Sequence, residues 1–377
     1  MSPVATARGC ESVITVLSRS LSLGALSSPC RFTDELWCVL MLLMFPCEQF
    51  IVNMLNQSQV EVLVLSGFNG LNQLRYLYFC ITCASYLLIL LLNVSILALI
   101  CVKQSLHQPM YIFLANLLLN TVTGCAAFYP KLLHDLLRDV QVISRTGCLL
   151  QAFCIHIYVS VECNILTAMA FDRYAAIAHP LTYHSLFSSS TVHGLLAAAW
   201  VLPVAGYTCL LSLSGRLPLC ASSVSRTFCD NRSITYQSCV DISVISLMEI
   251  VLVSAFVFLP VLLIFGCYIK ILAVSFQVSK GSRANKALST CIPHLVTYTS
   301  FVLSVMLEVV QPVLAQKNFP PVIRVIMSME GFLLPPLLNP LIYGLKLPDI
   351  RNHIRPMFKT AARVRHTGPP VTPKLTD

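Results

Sequence analysis

The string Met169-Ala-Phe-Asp172-Arg173-Tyr174-Ala-Ala-Ile-Ala-His179-Pro180-Leu-Thr-Tyr183 closes a long apolar run with a carboxylate and a guanidinium side by side. An arginine bordering lipid is costly unless paired, and Asp172 is the adjacent partner. The chemistry this pair offers is a breakable ionic contact at a helix end. Four more acids, Glu162, Glu249, Glu308 and Glu330, stand inside other apolar runs. Ionisable groups placed there mark ligand or ion sites, because burying a charge in hydrocarbon is expensive. No HExxH, phosphate-binding loop or nucleophile elbow occurs, so neither an enzyme nor a cofactor is expected. The 17 cysteines are scattered without metal-ligand spacing, and the CxxC of Cys80 and Cys83 falls in an apolar run, where packed or lipid-facing thiols are expected.

The elements that hold these groups follow from composition. Hydrophobic residues make up 56% of the 377 and charged ones 11%, against roughly 45–50% and 25% in an ordinary soluble domain. So few charges cannot cover a soluble surface, and disordered chains are poor in hydrophobics. The chain reads as a polytopic membrane protein. A helical span needs about 20 apolar residues, and seven runs qualify: Leu77–Val102, Met110–Leu133, Gly147–Phe171, Val192–Leu213, Ile242–Val274, Ala287–Val310 and Val322–Leu345. No internal repeat is visible, which weighs against a small transporter, the reading from another class.

An odd number of spans puts the two ends on opposite sides. Lys270, Lys280, Arg283 and Lys286 in the fifth-to-sixth connection, with the basic tail, place that side in the cytoplasm. The expected topology has the N-terminus outside, the C-terminus inside and the plasma membrane as location. The net charge of +9 is densest at Arg351, Arg355, Lys359, Arg363 and Arg365, which fits membrane lipid as a partner and leaves no module for nucleic acid. Asn56 and Asn231 open glycosylation sequons on the expected outer side. Cys148, Cys220, Cys229 and Cys239 fall on the same side, where two disulfides with three possible connectivities are expected.

The chain divides into residues 1–53, an extension without a recognisable role for which Met54 is an alternative start; 54–76, an extracellular N-terminus; 77–345, the seven spans; and 346–377, a helix and tail. In the last segment Ile350, Ile354, Met357 and Phe358 fall on one helical face and Arg351, Arg355 and Lys359 on the other. That is a short amphipathic eighth helix lying on the inner leaflet. The fold class is an all-α membrane protein, a seven-helix bundle.

The Asp172-Arg173-Tyr174 string occurs together with Pro109-Met110-Tyr111, Lys286-Ala-Leu-Ser289-Thr290-Cys291-Ile-Pro-His294-Leu295 and Pro336-Leu-Leu-Asn339-Pro340-Leu-Ile-Tyr343. In this combination the chain resembles an odorant receptor of the rhodopsin-like G-protein-coupled class from about Asn56 to Phe358, and Tyr129-Pro130-Lys131 is similar to fish-type members. The resemblance implies an odorant as ligand and a stimulatory-type heterotrimeric G protein as partner. It assigns Asp172, Arg173, Tyr174, Tyr268, Asn339, Pro340 and Tyr343 to activation and coupling, and Cys148–Cys229 and Cys220–Cys239 as the disulfides. Pro340 removes a backbone donor, and Asn339 is expected to satisfy groups left open.

Glu162 stands where members of this family carry a glutamate that helps hold a cation. The usual second-span aspartate is absent, since the region reads Asn120-Thr121. That puts a sodium site in question and leaves Glu162, protonated or hydrogen-bonded, with Asn93 as a polar core. Glu249, Glu308 and Glu330 are expected around a ligand cavity with His156 and Ser160, or else at headgroup depth or paired with Arg324. Three acids there favour a positively charged odorant such as an amine or amino acid. A receptor for an internal amine or peptide, built on the same bundle, is the near alternative.

Overall fold

Apolar runs in the sequence become helices whose ends are set by local chemistry. The computed structural model describes residues 62–68, 74–278, 292, 294–308, 321–347 and 349–353. The extension 1–53, the sequon at Asn56 and the tail beyond residue 353, including most of the amphipathic face, lie outside the described residues. Six described helices are long and apolar enough to cross a membrane: Arg75–Val102, Pro109–Leu136, Arg145–Ala178, Ser189–Ser214, Ser243–Val274 and Val325–Lys346. Residues 294–308 are helical and belong to the sixth span. Pro109 opens the second span, where its missing N–H is not needed. Ser144 and Ser188 cap the third and fourth by accepting from the Gly147 and Thr191 amides. The third helix runs beyond Phe171, because polarity at Asp172 ends an apolar count but not a helix.

Burial separates lipid-facing from bundle-facing sides. In the first span the buried residues are Thr82, Ile89, Asn93, Ile96 and Ile100, one stripe along the helix, while Leu87 and Leu91 are 60% and 65% exposed. Apolar exposure on that scale belongs in hydrocarbon. The third span is the hub, buried along most of its length and packed against the second, fourth and fifth.

The seventh span carries Pro335, Pro336 and Pro340. Each proline leaves the carbonyl four residues earlier without its helical donor, and another helix supplies one in every case. Tyr158 Oη donates to Gly331 O at 3.4 Å, Tyr129 Oη to Phe332 O at 3.0 Å and Asn93 Nδ2 to Pro336 O at 2.9 Å. The fourth span repeats the device: Pro203 frees Ala199 O, and Asn164 Nδ2 reaches it at 3.4 Å. This corrects the expectation for Asn339. Asn93, from the neighbouring first span, fills the gap that Pro340 opens, and Asn339 turns elsewhere.

One end of the bundle is not helical. Strands β1 (Val62–Leu65), β2 (Val142–Ser144) and β3 (Ser223–Val224) form a sheet in the order β2-β1-β3, antiparallel to β2 and parallel to β3. The all-helical bundle thus carries a small sheet, with β1 from the segment before the first span and β2 and β3 from the second-to-third and fourth-to-fifth connections. Leu63 and Leu65 of β1 are buried, as is Phe68 just beyond it. Gly67 lies so close to Arg226 and Thr227 that a Cβ would strike their backbone.

Candidate functional site

At the sheet end a cavity of about 190 Å³ lies among the third, fourth, fifth, sixth and seventh spans and the long loop between the fourth and fifth. For scale, an apolar protein cavity of about 150 Å³ holds benzene. His156, Glu249 and Glu308 are among the residues that line it. His156 donates from Nδ1 to Ala152 O at 2.7 Å and stacks obliquely on Tyr207 at 4.8 Å. Ser160 and Glu330 do not line it. Ser160 is fully buried with its hydroxyl 3.3 Å from Tyr207 Oη. Glu330 sits behind Ser304, which donates to it at 3.0 Å. Phe301 lines the cavity, and its neighbour Val302 does not.

Two of these acids are paired with arginines of the long loop. Arg226, in the loop, contacts Asp230 at 3.2 Å and Glu308 at 3.5 Å. Arg232 contacts Glu249 at 3.5 Å. Composition and span counting give these arginines no role. Their proximity to Cys229 was the available signal, since a disulfide to the third helix draws that segment over the bundle.

That disulfide is present. Cys148 and Cys229 are joined with Cα atoms 5.2 Å apart, and Cys220 and Cys239 with Cα atoms 5.5 Å apart. Asn231, two residues beyond Cys229, is fully buried. Its Nδ2 donates to Glu249 at 2.6 Å and its Oδ1 accepts from Ser214 at 2.6 Å. A glycan at Asn231 requires these bonds to open, because the acceptor nitrogen is a buried donor here. Beyond the loop, Asp241 is fully exposed and accepts from Ser243, which holds its carboxyl below the usual range.

Midway along the third span Glu162 is fully buried. One carboxylate oxygen accepts from Asn120 Nδ2 at 2.8 Å and the other from Asn339 Nδ2 at 2.9 Å. Asn120 also donates to Tyr158 O, and Thr121 donates to Leu117 O. Amide N–H groups point where a cation would need oxygen ligands, so these residues do not fit a sodium ion. Asn93 belongs to the same buried layer but bonds to the seventh-span backbone rather than to Glu162.

At the opposite end Arg173 donates from Nε and Nη2 to Asp172 Oδ2 at 2.9 and 2.5 Å. Asp172 is fully buried, and its other oxygen accepts from Tyr183 Oη at 2.6 Å. Burial first, and then the neighbouring carboxylate, push the Tyr183 phenol up, so it remains a donor. Tyr183 had no role in the expectation, although it stands in the quoted string. Tyr174 takes Lys270 over its ring at 5.7 Å. Tyr343 is fully buried, its hydroxyl 3.1 Å from both Thr297 Oγ1 and His294 Nδ1 of the sixth span. Tyr268 is buried on the fifth. Tyr111, opening the second span, donates to Asp349 at 2.7 Å and ties down the segment after the seventh.

The family profile described as olfactory receptor matches residues 82–361. Among curated proteins the chain is similar to Olfactory receptor 6N1 of Homo sapiens, 32% identical over 305 residues covering 81% of this chain and 97% of that protein. It is likewise similar to Olfactory receptor 8C8 of Mus musculus, 32% identical over 313 residues covering 82% and 98%. Olfactory receptor 10A3 of Homo sapiens is 30% identical over 305 residues covering 81% and 96%.

Proposed function

The chain belongs to the olfactory receptor family, and from that premise we propose that it receives a small odorant in the sheet-end cavity and signals to a stimulatory-type heterotrimeric G protein at the Arg173 end. The sheet end then faces outside the plasma membrane, with the N-terminus, and the Arg173 end faces the cytoplasm, with the C-terminus. The observation that carries this reading is the order of groups along one rigid helix. His156 stands in the cavity wall, Glu162 in the polar core and Asp172–Arg173 at the far end.

An odorant acts by binding one state of the bundle better than another. In the state described here, Tyr343 is held by Thr297 and His294, so outward movement of the sixth span must break both contacts. Arg173 must likewise leave Asp172 before it can meet a partner. Asn339, Pro340 and Tyr343 sit on the segment that joins these events to the polar core through Glu162.

The test is an odorant panel on cells expressing the full chain, with cyclic AMP as readout. At least one odorant should raise cyclic AMP, and Arg173→Ala should abolish the rise without removing receptor from the surface. Normal signalling by that variant would sink the role of Arg173. A response through a different second messenger would sink the stimulatory class, and labelling that finds both termini in one compartment would sink the topology.

A further inference from the structure

Charges at the cavity rim do not balance. One nitrogen of Arg226, Nη1, lies 3.2 Å from Asp230 Oδ2 and 3.5 Å from Glu308 Oε2, so a single guanidinium is divided between two carboxylates. Arg232 is occupied by Glu249, whose second oxygen accepts from Asn231. One turn before Glu308, on the same helix face, Ser304 lines the cavity and donates to Glu330. Glu330 has no ion-pair partner among the described residues. The remaining oxygens of both acids, Glu308 Oε1 and Glu330 Oε2, are buried without a hydrogen-bond donor. Acceptors left this way in a low-dielectric site are costly, and each calls for an explanation. The rest of the wall is apolar and aromatic, with Phe228, Phe301 and Phe332 in it.

We propose that this cavity takes an organic monoamine with a compact apolar body, its ammonium seated against Glu308 and Ser304, and that it discriminates against amino acids and carboxylates. The ammonium supplies one positive charge and three donors to a wall short of both. The aromatic rings receive the hydrocarbon part and favour a nearby cation. A ligand carboxylate finds both guanidiniums already committed to acids, so the choice between amine and amino acid resolves towards the amine. The inference rests on the cavity being the odorant site.

The experiment measures the thermal unfolding midpoint of the solubilised full-length receptor with four probes of similar body: phenethylamine, phenylethanol, phenylacetate and phenylalanine. Phenethylamine should raise the midpoint at concentrations where the other three do not. Glu308→Gln should weaken that binding at least tenfold, and Arg226→Gln, which removes the competing cation, should strengthen it. The proposal is overturned if phenylethanol, phenylacetate or phenylalanine stabilises as well as the amine, or if neither variant changes its affinity. A receptor that ignores phenethylamine yet signals to neutral odorants loses this proposal and keeps the proposed function. A receptor that binds the amine and signals to nothing does the reverse.

Discussion

The side-chain amide of Asn93 donates to the carbonyl of Pro336, the acceptor that Pro340 leaves without a helical N–H. The first and seventh spans are thus joined by a bond that exists because the seventh helix is broken. Tyr129 and Tyr158 serve Phe332 and Gly331 in the same way. In hydrocarbon no water can take these carbonyls, so each proline makes its helix dependent on a particular neighbour.

Asn93→Leu keeps the volume and removes the donor. It should destabilise the receptor by about 1–3 kcal/mol, the penalty for a buried acceptor left unmet. The readout is the thermal midpoint in detergent, and an unchanged midpoint would show that the Pro336 carbonyl finds another partner.

Glu162 has both oxygens occupied by the amides of Asn120 and Asn339. Exchange of sodium for choline should therefore leave odorant potency and thermal midpoint unchanged. A sodium-dependent shift in either would mean that a cation displaces one of the amides.

Tyr183 is the second lock on Asp172. A hydrogen bond to a charged group contributes roughly 1.5–3 kcal/mol, so Tyr183→Phe should raise cyclic AMP in the absence of odorant by about tenfold. Ligand-free signalling at the parent level would remove Tyr183 from the resting contact.

The two disulfides differ in the loop they close, with sequence separations of 81 and 19. Chain entropy makes the longer closure more stabilising by about 1 kcal/mol. Cys148→Ser should accordingly reduce surface delivery more than Cys220→Ser, as read by labelling of intact cells. The opposite order would show that local geometry in the loop outweighs closure.

Asn231 is sealed between Ser214 and Glu249. Enzymatic deglycosylation should shift the parent and Asn231→Gln proteins equally on a gel. A smaller shift for the variant would place a glycan there and require the loop to open around it.

Spans, their number and the ion pair at Arg173 were legible in the residues, because apolar run length and adjacent opposite charges are local properties. The disulfide pairing came through resemblance to the family. The sheet was not legible: Val62–Leu65 is a short segment whose partners, Val142–Ser144 and Ser223–Val224, lie far along the chain. Nor were the roles of Arg226, Arg232 and Asn120, or the exchange of duties between Asn93 and Asn339. A proline announces which carbonyl loses its donor. Which side chain arrives there depends on how each helix is rotated about its own axis, and that rotation is settled only when all the helices pack against one another.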